Sequence, residues 1–177
     1  MMKIALTGKM RSGKDTVAEI MGKYARFNEI KFSKGITEII ENYLPEVASK
    51  GKDRYAYQVI GQSLREIDPL IWVKYSIGKA IGDNVIITDL RQQNEYEYLK
   101  EHGFIIIKVE SNLGDRINRM KELDEDNSID RMNHETERFI DLIEADYTIN
   151  NFWGLEELEW QVYSVITKIL ENNENKV

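Results

Sequence analysis

The apolar run Ile4-Ala5-Leu6 leads directly into Gly8-Lys9-Met10-Arg11-Ser12-Gly13-Lys14-Asp15-Thr16, and no other junction in the chain constrains the fold as tightly. Residues 3–7 read as a short buried strand, and residues 14–24 set Val17, Ala18, Ile20 and Met21 along one face of a helix. A Gly-x-x-x-x-Gly pair arises by chance in a chain of this length, so its position between a strand and a helix carries the meaning. Gly8 and Gly13 let the backbone turn its N–H groups inward, and with the positive end of the following helix those donors form a cradle for phosphates. The loop therefore predicts a nucleoside triphosphate site made by Gly8, Lys9, Arg11, Ser12, Gly13, Lys14, Asp15 and Thr16. Lys14 reaches the terminal phosphates as a point charge, and Arg11 covers them from the rim. Asp15 stands where such loops ordinarily carry a hydroxyl. A carboxylate is a hard oxygen ligand, so Asp15 is expected to meet magnesium directly or through water, with Thr16 left as a phosphate contact. The competing reading is a glycine-rich turn before a helix whose first turn holds an acid that the dipole favours.

Strand-length apolar runs recur at 3–7, 29–33, 84–89, 104–110 and 146–150, with helical periodicity between most of them. Val85-Ile86-Ile87 and Ile105-Ile106-Ile107 lack polar alternation, as expected for a parallel sheet covered by helices on both faces. The 177 residues fit one α/β domain, residues 1–177. A net charge of -7 weighs against a nucleic-acid polymer as partner, and the absence of cysteine removes disulfides and thiolate zinc sites. His102 and His134 are too far apart for a metal motif, and His102-Gly103 reads as the end of a helix. No apolar run reaches membrane or signal-peptide length, so the expected setting is cytoplasmic, without a membrane partner. The last helix, from 155 to about 170, aligns Leu155, Leu158, Val162, Val165, Ile166 and Ile169 as a packing stripe, with Trp160 and Tyr163 flanking it as core or rim.

Two segments depart from simple alternation. Residues 34–83 are helical in pattern and far exceed a crossover of about a dozen residues, so they form an insertion. Residues 111–135 are highly charged and set Arg116, Arg119 and Arg131 among Asp115, Glu122, Asp124, Glu125 and Asp126, a composition suited to a mobile cover.

Taken together, several segments resemble the nucleoside monophosphate kinases, and more closely the deoxynucleoside monophosphate kinases of large tailed bacteriophages. They are Gly13-Lys14-Asp15-Thr16; Gln58-Val59-Ile60-Gly61-Gln62-Ser63-Leu64-Arg65 with Asp68 and Trp72; Val85-Ile86-Ile87-Thr88-Asp89-Leu90-Arg91 with Asn94-Glu95; His134-Glu135-Thr136-Glu137; and Asp146-Tyr147-Thr148-Ile149-Asn150-Asn151. The resemblance implies a P-loop kinase fold with a five-stranded parallel sheet, an acceptor-binding role for the helical insertion 34–83, a lid at 111–135, and often a homodimer. It also implies transfer of the ATP terminal phosphate to a deoxynucleoside monophosphate, giving the diphosphate and ADP. Animal phosphomevalonate kinases resemble the same loop, so another phosphorylated metabolite, phosphomevalonate or a coenzyme A precursor, stays open as acceptor. A regulatory protein that binds ATP without turnover stays open too, although it leaves the insertion and the lid arginines without a purpose.

Phosphoryl transfer needs positioning and charge compensation, and the remaining candidates follow from that. Asp89, ending a buried strand, is placed to hold magnesium or its waters, and Arg91 to bind the acceptor phosphate. Arg65 is a candidate bidentate clamp on that phosphate or a surface helix arginine, and Tyr57, Gln62 and Trp72 are candidates for the acceptor base, with core packing the competing role for at least one of the aromatics. Arg116 and Arg119, three apart, share a helix face and can converge on the transferring group, with Arg131 a further lid candidate, for the acceptor; a solvated charged helix is the competing reading. His134 marks the return of the lid, with Glu135 or Glu137 orienting an arginine; Asn150 and Asn151 are expected beside the donor adenine or in a plain turn.

Overall fold

The unbroken apolar runs Ile4-Ala5-Leu6, Val85-Ile86-Ile87 and Ile105-Ile106-Ile107 pair side by side, as strands buried on both faces do. The structure, a computed structural model, describes residues 2–51, 53–82, 84–122 and 135–174. The strands are β1 (Lys3–Thr7), β2 (Asn28–Ile30), β3 (Val85–Leu90), β4 (Ile105–Glu110) and β5 (Tyr147–Asn150). They form one five-stranded sheet in the order β2-β3-β1-β4-β5, with every pair parallel. β1 is central, with Ala5 opposite Ile87 on one side and Ile106 on the other. The loop after β1 therefore leaves from the middle of the carboxyl edge of the sheet, where open α/β sheets bind ligands.

Side chains alternate across the sheet and give it two cores. Ile4, Leu6, Ile86, Ile107, Val109 and Ile149 face α1 (Lys14–Met21) and α9 (Leu155–Glu174), where they meet Val17, Ile20, Met21, Val162 and Ile166. Ala5, Ile87 and Ile106 face the other way, against Ile36 and Ile40 of α2 (Ser33–Tyr43), Trp72 and Val73 of α5 (Ile71–Gly78) and Leu99 of α6 (Gln93–Glu101). Helices thus cover both faces, as the apolar runs predict. On α9 the packed stripe is narrower than expected: Leu155, in the first turn, is exposed, and so are Trp160 and Tyr163. Tyr163 leans instead on Tyr24, ring centres 5.6 Å apart. No described helix is long and apolar enough to cross a membrane.

The region 34–83 holds the rest of α2 together with α3 (Pro45–Ala48), α4 (Arg54–Ile67) and α5. Asp53 caps α4 by accepting the Ala56 N–H at 3.1 Å. Trp72 is buried and donates its indole N–H to Gly61 O at 3.1 Å. A Cβ at Gly35 would stand 2.9 Å from the Trp72 ring and from Tyr75, so α2 closes on the indole only because residue 35 has no side chain. Of the two roles the sequence leaves open for Trp72, a stacking face for an acceptor base and core packing, the structure gives it the second. The second strand is corrected, from 29–33 to Asn28–Ile30. Both oxygens of Asp89 draw the following backbone out of the sheet, accepting the N–H groups of Phe32 at 2.8 Å and Ser33 at 3.0 Å and so starting α2.

Candidate active site

The loop between β1 and α1 takes φ angles of 149° at Gly8, 60° at Arg11 and 105° at Gly13. A Cβ at Gly8 would collide with Val109 O and Ser12 Oγ, and one at Gly13 with the Asn151 amide, so space and dihedral both demand glycine. Arg11 is the one non-glycine with positive φ among the described residues, a strained apex of the kind found at functional loops. Ser12 N–H donates to Lys9 O at 3.0 Å, while Ser12 Oγ is buried with no hydrogen-bond partner among the described residues. Lys14, 8% exposed, folds over the loop and donates from Nζ to Gly8 O at 2.6 Å and Lys9 O at 3.1 Å.

Asp15 points outward, its side chain 68% exposed, and pairs with Lys31 Nζ at 3.0 Å; Lys31 also meets Glu29 Oε1 at 3.2 Å. Burial alone would lower the Lys31 pKa, but its bonds to Asp15 and Glu29 raise it above the ordinary lysine value. Lys31 offsets the negative charge that Asp15 brings to the loop. It follows the short β2 directly, and no motif marks it in sequence. Thr16 lies half-buried in the first turn of α1.

α7 (Leu113–Glu122) brings two guanidiniums to the loop apex. Buried Arg116 donates from Nε to Met10 O at 2.8 Å, and Arg119 donates from Nη1 to Arg11 O at 2.9 Å and Ser111 Oγ at 3.0 Å. Their spacing of three puts them on one face, as expected, and that face grips backbone carbonyls of the loop. On the far side, Lys9 Nζ pairs at 2.8 Å with Asp141 of α8 (Glu135–Leu142). Arg131 and His134 lie outside the described residues; Glu135 opens α8 and Glu137 follows in it.

After β5 the asparagines divide their work differently from the sequence expectation. Asn150 is held through its backbone, its N–H on Gln161 Oε1 at 2.8 Å and its carbonyl accepting Gln161 Nε2 at 2.9 Å. The side chain that reaches the loop is that of buried Asn151, whose Nδ2 donates to Ser12 O at 2.9 Å.

A second cluster forms at the carboxyl end of β3. Glu95, 2% exposed, accepts the backbone N–H groups of Arg91 and Gln92 on Oε2, each at 3.1 Å, and meets Arg65 Nη2 through Oε1 at 3.4 Å. Burial pushes its carboxyl up to about 7; the Arg91 N–H and the Arg65 charge pull against that rise, and nearby Asp89 adds to it. Elsewhere, Tyr57 Oη and Thr37 Oγ1 share a hydrogen bond of 2.6 Å, and Gln62 is exposed on α4. Glu95 enters the sequence reading only within a resembling segment and with no role of its own, although Gln92-x-x-Glu95 is a capping box at the start of α6 and signals at least its local role. A carboxyl raised in the fold favours the native state at low pH, and that contribution is lost as pH climbs through about 7. Glu95→Gln should therefore melt at a higher temperature relative to wild type at about pH 8.5 than at about pH 5.5. A melting difference that does not change with pH would contradict the burial argument.

The profile of the AAA domain family matches residues 4–140, about three-quarters of the chain. The chain belongs to this family. Among solved structures, this AAA-domain protein is similar to shikimate kinase from Acinetobacter baumannii in complex with shikimate, at 18% identity and TM-score 0.62, over 97% of this chain and 94% of that one. It is similar to a gluconokinase from Sinorhizobium meliloti 1021 at 12% identity and TM-score 0.62, over 99% and 97%. It is also similar to TT1252 from Thermus thermophilus at 16% identity and TM-score 0.54, over 96% and 97%. Comparison with curated proteins finds no match. These likenesses are of fold, the P-loop kinase fold.

In this AAA-domain protein the predicted loop residues, Arg116 and Arg119 do come together, joined by Asn151 and Lys31. Arg65, Asp89 and Arg91 gather around Glu95 instead. Trp72 belongs to neither group.

Proposed function

We propose that this protein is a magnesium-assisted kinase that transfers the terminal phosphate of ATP to a deoxynucleoside monophosphate. The observation that carries the reading is the convergence of Arg116 and Arg119 on Met10 O and Arg11 O, directly over a loop whose Lys14 spans its own carbonyls. Three cations so arranged match the charge that spreads over a phosphoryl group in transfer. Gly8, Lys9, Arg11, Ser12, Gly13 and Thr16 cradle the donor phosphates, and the orphaned Ser12 Oγ has a hydroxyl to offer them. Arg65 and Arg91 bind the acceptor phosphate, with Tyr57 and Gln62 toward the base. The lid reading of residues 111–135 rests on α7, since residues 123–134 lie outside the described residues. The monophosphate acceptor is inferred from the bacteriophage-kinase resemblance of the segments around Arg65, Asp89 and Asn150. A second reading, a different small metabolite as acceptor, draws support from the likeness to shikimate kinase and gluconokinase. Acceptor-dependent ADP release from ATP across a panel of monophosphates and small metabolites separates the two; ATP binding without any such release would leave a non-catalytic nucleotide binder.

Magnesium suits the donor set. The outward carboxylate of Asp15 and the hydroxyl of Thr16 are hard oxygens, and such ions are held by one or two carboxylates with substrate phosphates and water. Bound there, the ion neutralises charge on the phosphates. Asp89 suits the role less well, because both its oxygens already accept N–H groups at the start of α2. Asp15→Ala is accordingly expected to weaken the apparent magnesium affinity about tenfold and to lower kcat, and Asp15→Ser to recover part of both. The same magnesium titration curve for all three proteins would assign Asp15 to the helix start alone.

A further inference from the structure

Glu95 is a carboxylate in a place where capping alone does not require one. Glutamine serves the same position of a capping box, whereas an acid at 2% exposure is costly to desolvate. The difference between the two side chains is the charge. Arg65 on α4 is the cation that meets it, at 3.4 Å, while Asp89 of β3 opposes it. Arg65 is itself largely enclosed, its side chain 20% exposed, and it reaches Glu95 past Gly61, where even a Cβ would lie 3.3 Å from Nη1. The second oxygen of Glu95 meanwhile holds the backbone at Arg91 and Gln92. One buried side chain thus ties an arginine of the helical insertion to the turn that carries an arginine of the sheet.

We propose that Glu95 is a positioning residue for the acceptor phosphate, fixing Arg65 and Arg91 relative to each other so that both guanidiniums serve one anion. The inference rests on the monophosphate-kinase reading above. It assigns Glu95 an effect on acceptor binding and none on the donor. Its protonation, favoured by burial and by Asp89 and opposed by Arg65, makes the hold on Arg65 dependent on pH. The acceptor phosphate has its own second ionisation near pH 6, but that is common to every variant and drops out of a comparison between them.

The test is steady-state kinetics of wild type, Glu95→Gln, Arg65→Lys and the double variant with ATP, magnesium and a deoxynucleoside monophosphate, at about pH 6 and about pH 8.5. At the higher pH, Glu95→Gln should raise the monophosphate KM about tenfold, with kcat within about twofold and ATP affinity unchanged. Arg65→Lys should do the same, and the double variant should be no more than about twofold worse than either, because the two changes break one contact. At the lower pH the raised carboxyl of wild-type Glu95 shifts toward its protonated form, and the difference from Glu95→Gln should shrink toward about twofold. A KM ratio near one at both values overturns the inference, as does tighter monophosphate binding through lost repulsion. Parallel losses in kcat, KM, ATP affinity and melting temperature also overturn it, by reducing Glu95 to a structural role. Wild type without acceptor-dependent turnover overturns the kinase reading and this inference together, and that control is read before any variant.

Discussion

Lys14→Ala is expected to lower kcat by about a thousandfold or more while leaving a folded protein. The side chain spans the loop from α1 to Gly8 O and Lys9 O, where its ammonium can turn to phosphate oxygens without moving the backbone. In the proposed reaction it contributes charge where charge develops. The structural loss includes two hydrogen bonds to loop carbonyls, about 1–3 kcal/mol, which a domain of ordinary stability survives. Rates and a melting curve for the same preparation check both halves. Near-normal turnover with unchanged magnesium dependence would remove the loop from the reaction.

The second large effect concerns Arg116 and Arg119. Each alanine variant should lose about a hundredfold or more in kcat with little change in either KM, because in the proposed reaction these groups act on the phosphoryl group as it transfers. Their contacts with Met10 O and Arg11 O separate the two variants in stability. Arg116 is buried, so its removal leaves Met10 O without that charged donor and should lower the melting temperature. Arg119 is less enclosed and shares its donors with Ser111, so Arg119→Ala should melt nearly as wild type does. Wild-type kcat in both variants would make them supports of the loop and nothing more.

The centre of the sheet was readable because β1, β3 and β4 carry the unbroken apolar runs Ile4-Ala5-Leu6, Val85-Ile86-Ile87 and Ile105-Ile106-Ile107, and the glycine loop because its residues are contiguous and its neighbours declare a strand and a helix. What the sequence concealed depends on contacts between distant residues. Phe32 continues an apolar run, yet the strand ends before it because Asp89, 57 positions away, takes the Phe32 N–H. Trp72 looks like a recognition aromatic until Gly35 and Gly61 are seen closing helices around it. Asn150 and Asn151 are equivalent on paper; the pairing of Asn150 N–H and O with Gln161 leaves the next side chain to reach Ser12. The capping role of Glu95 is local and legible, whereas its ion pair with Arg65 joins residues 30 positions apart that only the fold brings together.

The central claim is transfer of a phosphoryl group to a deoxynucleoside monophosphate. The direct measurement is the fate of label from ATP carrying radioactive terminal phosphate, incubated with magnesium and each deoxy- and ribonucleoside monophosphate in turn, the products separated and counted. Label appearing in at least one deoxynucleoside diphosphate, with equal ADP and dependence on Lys14, is the predicted result. Label that stays in ATP or passes only to water across the whole panel would contradict the account.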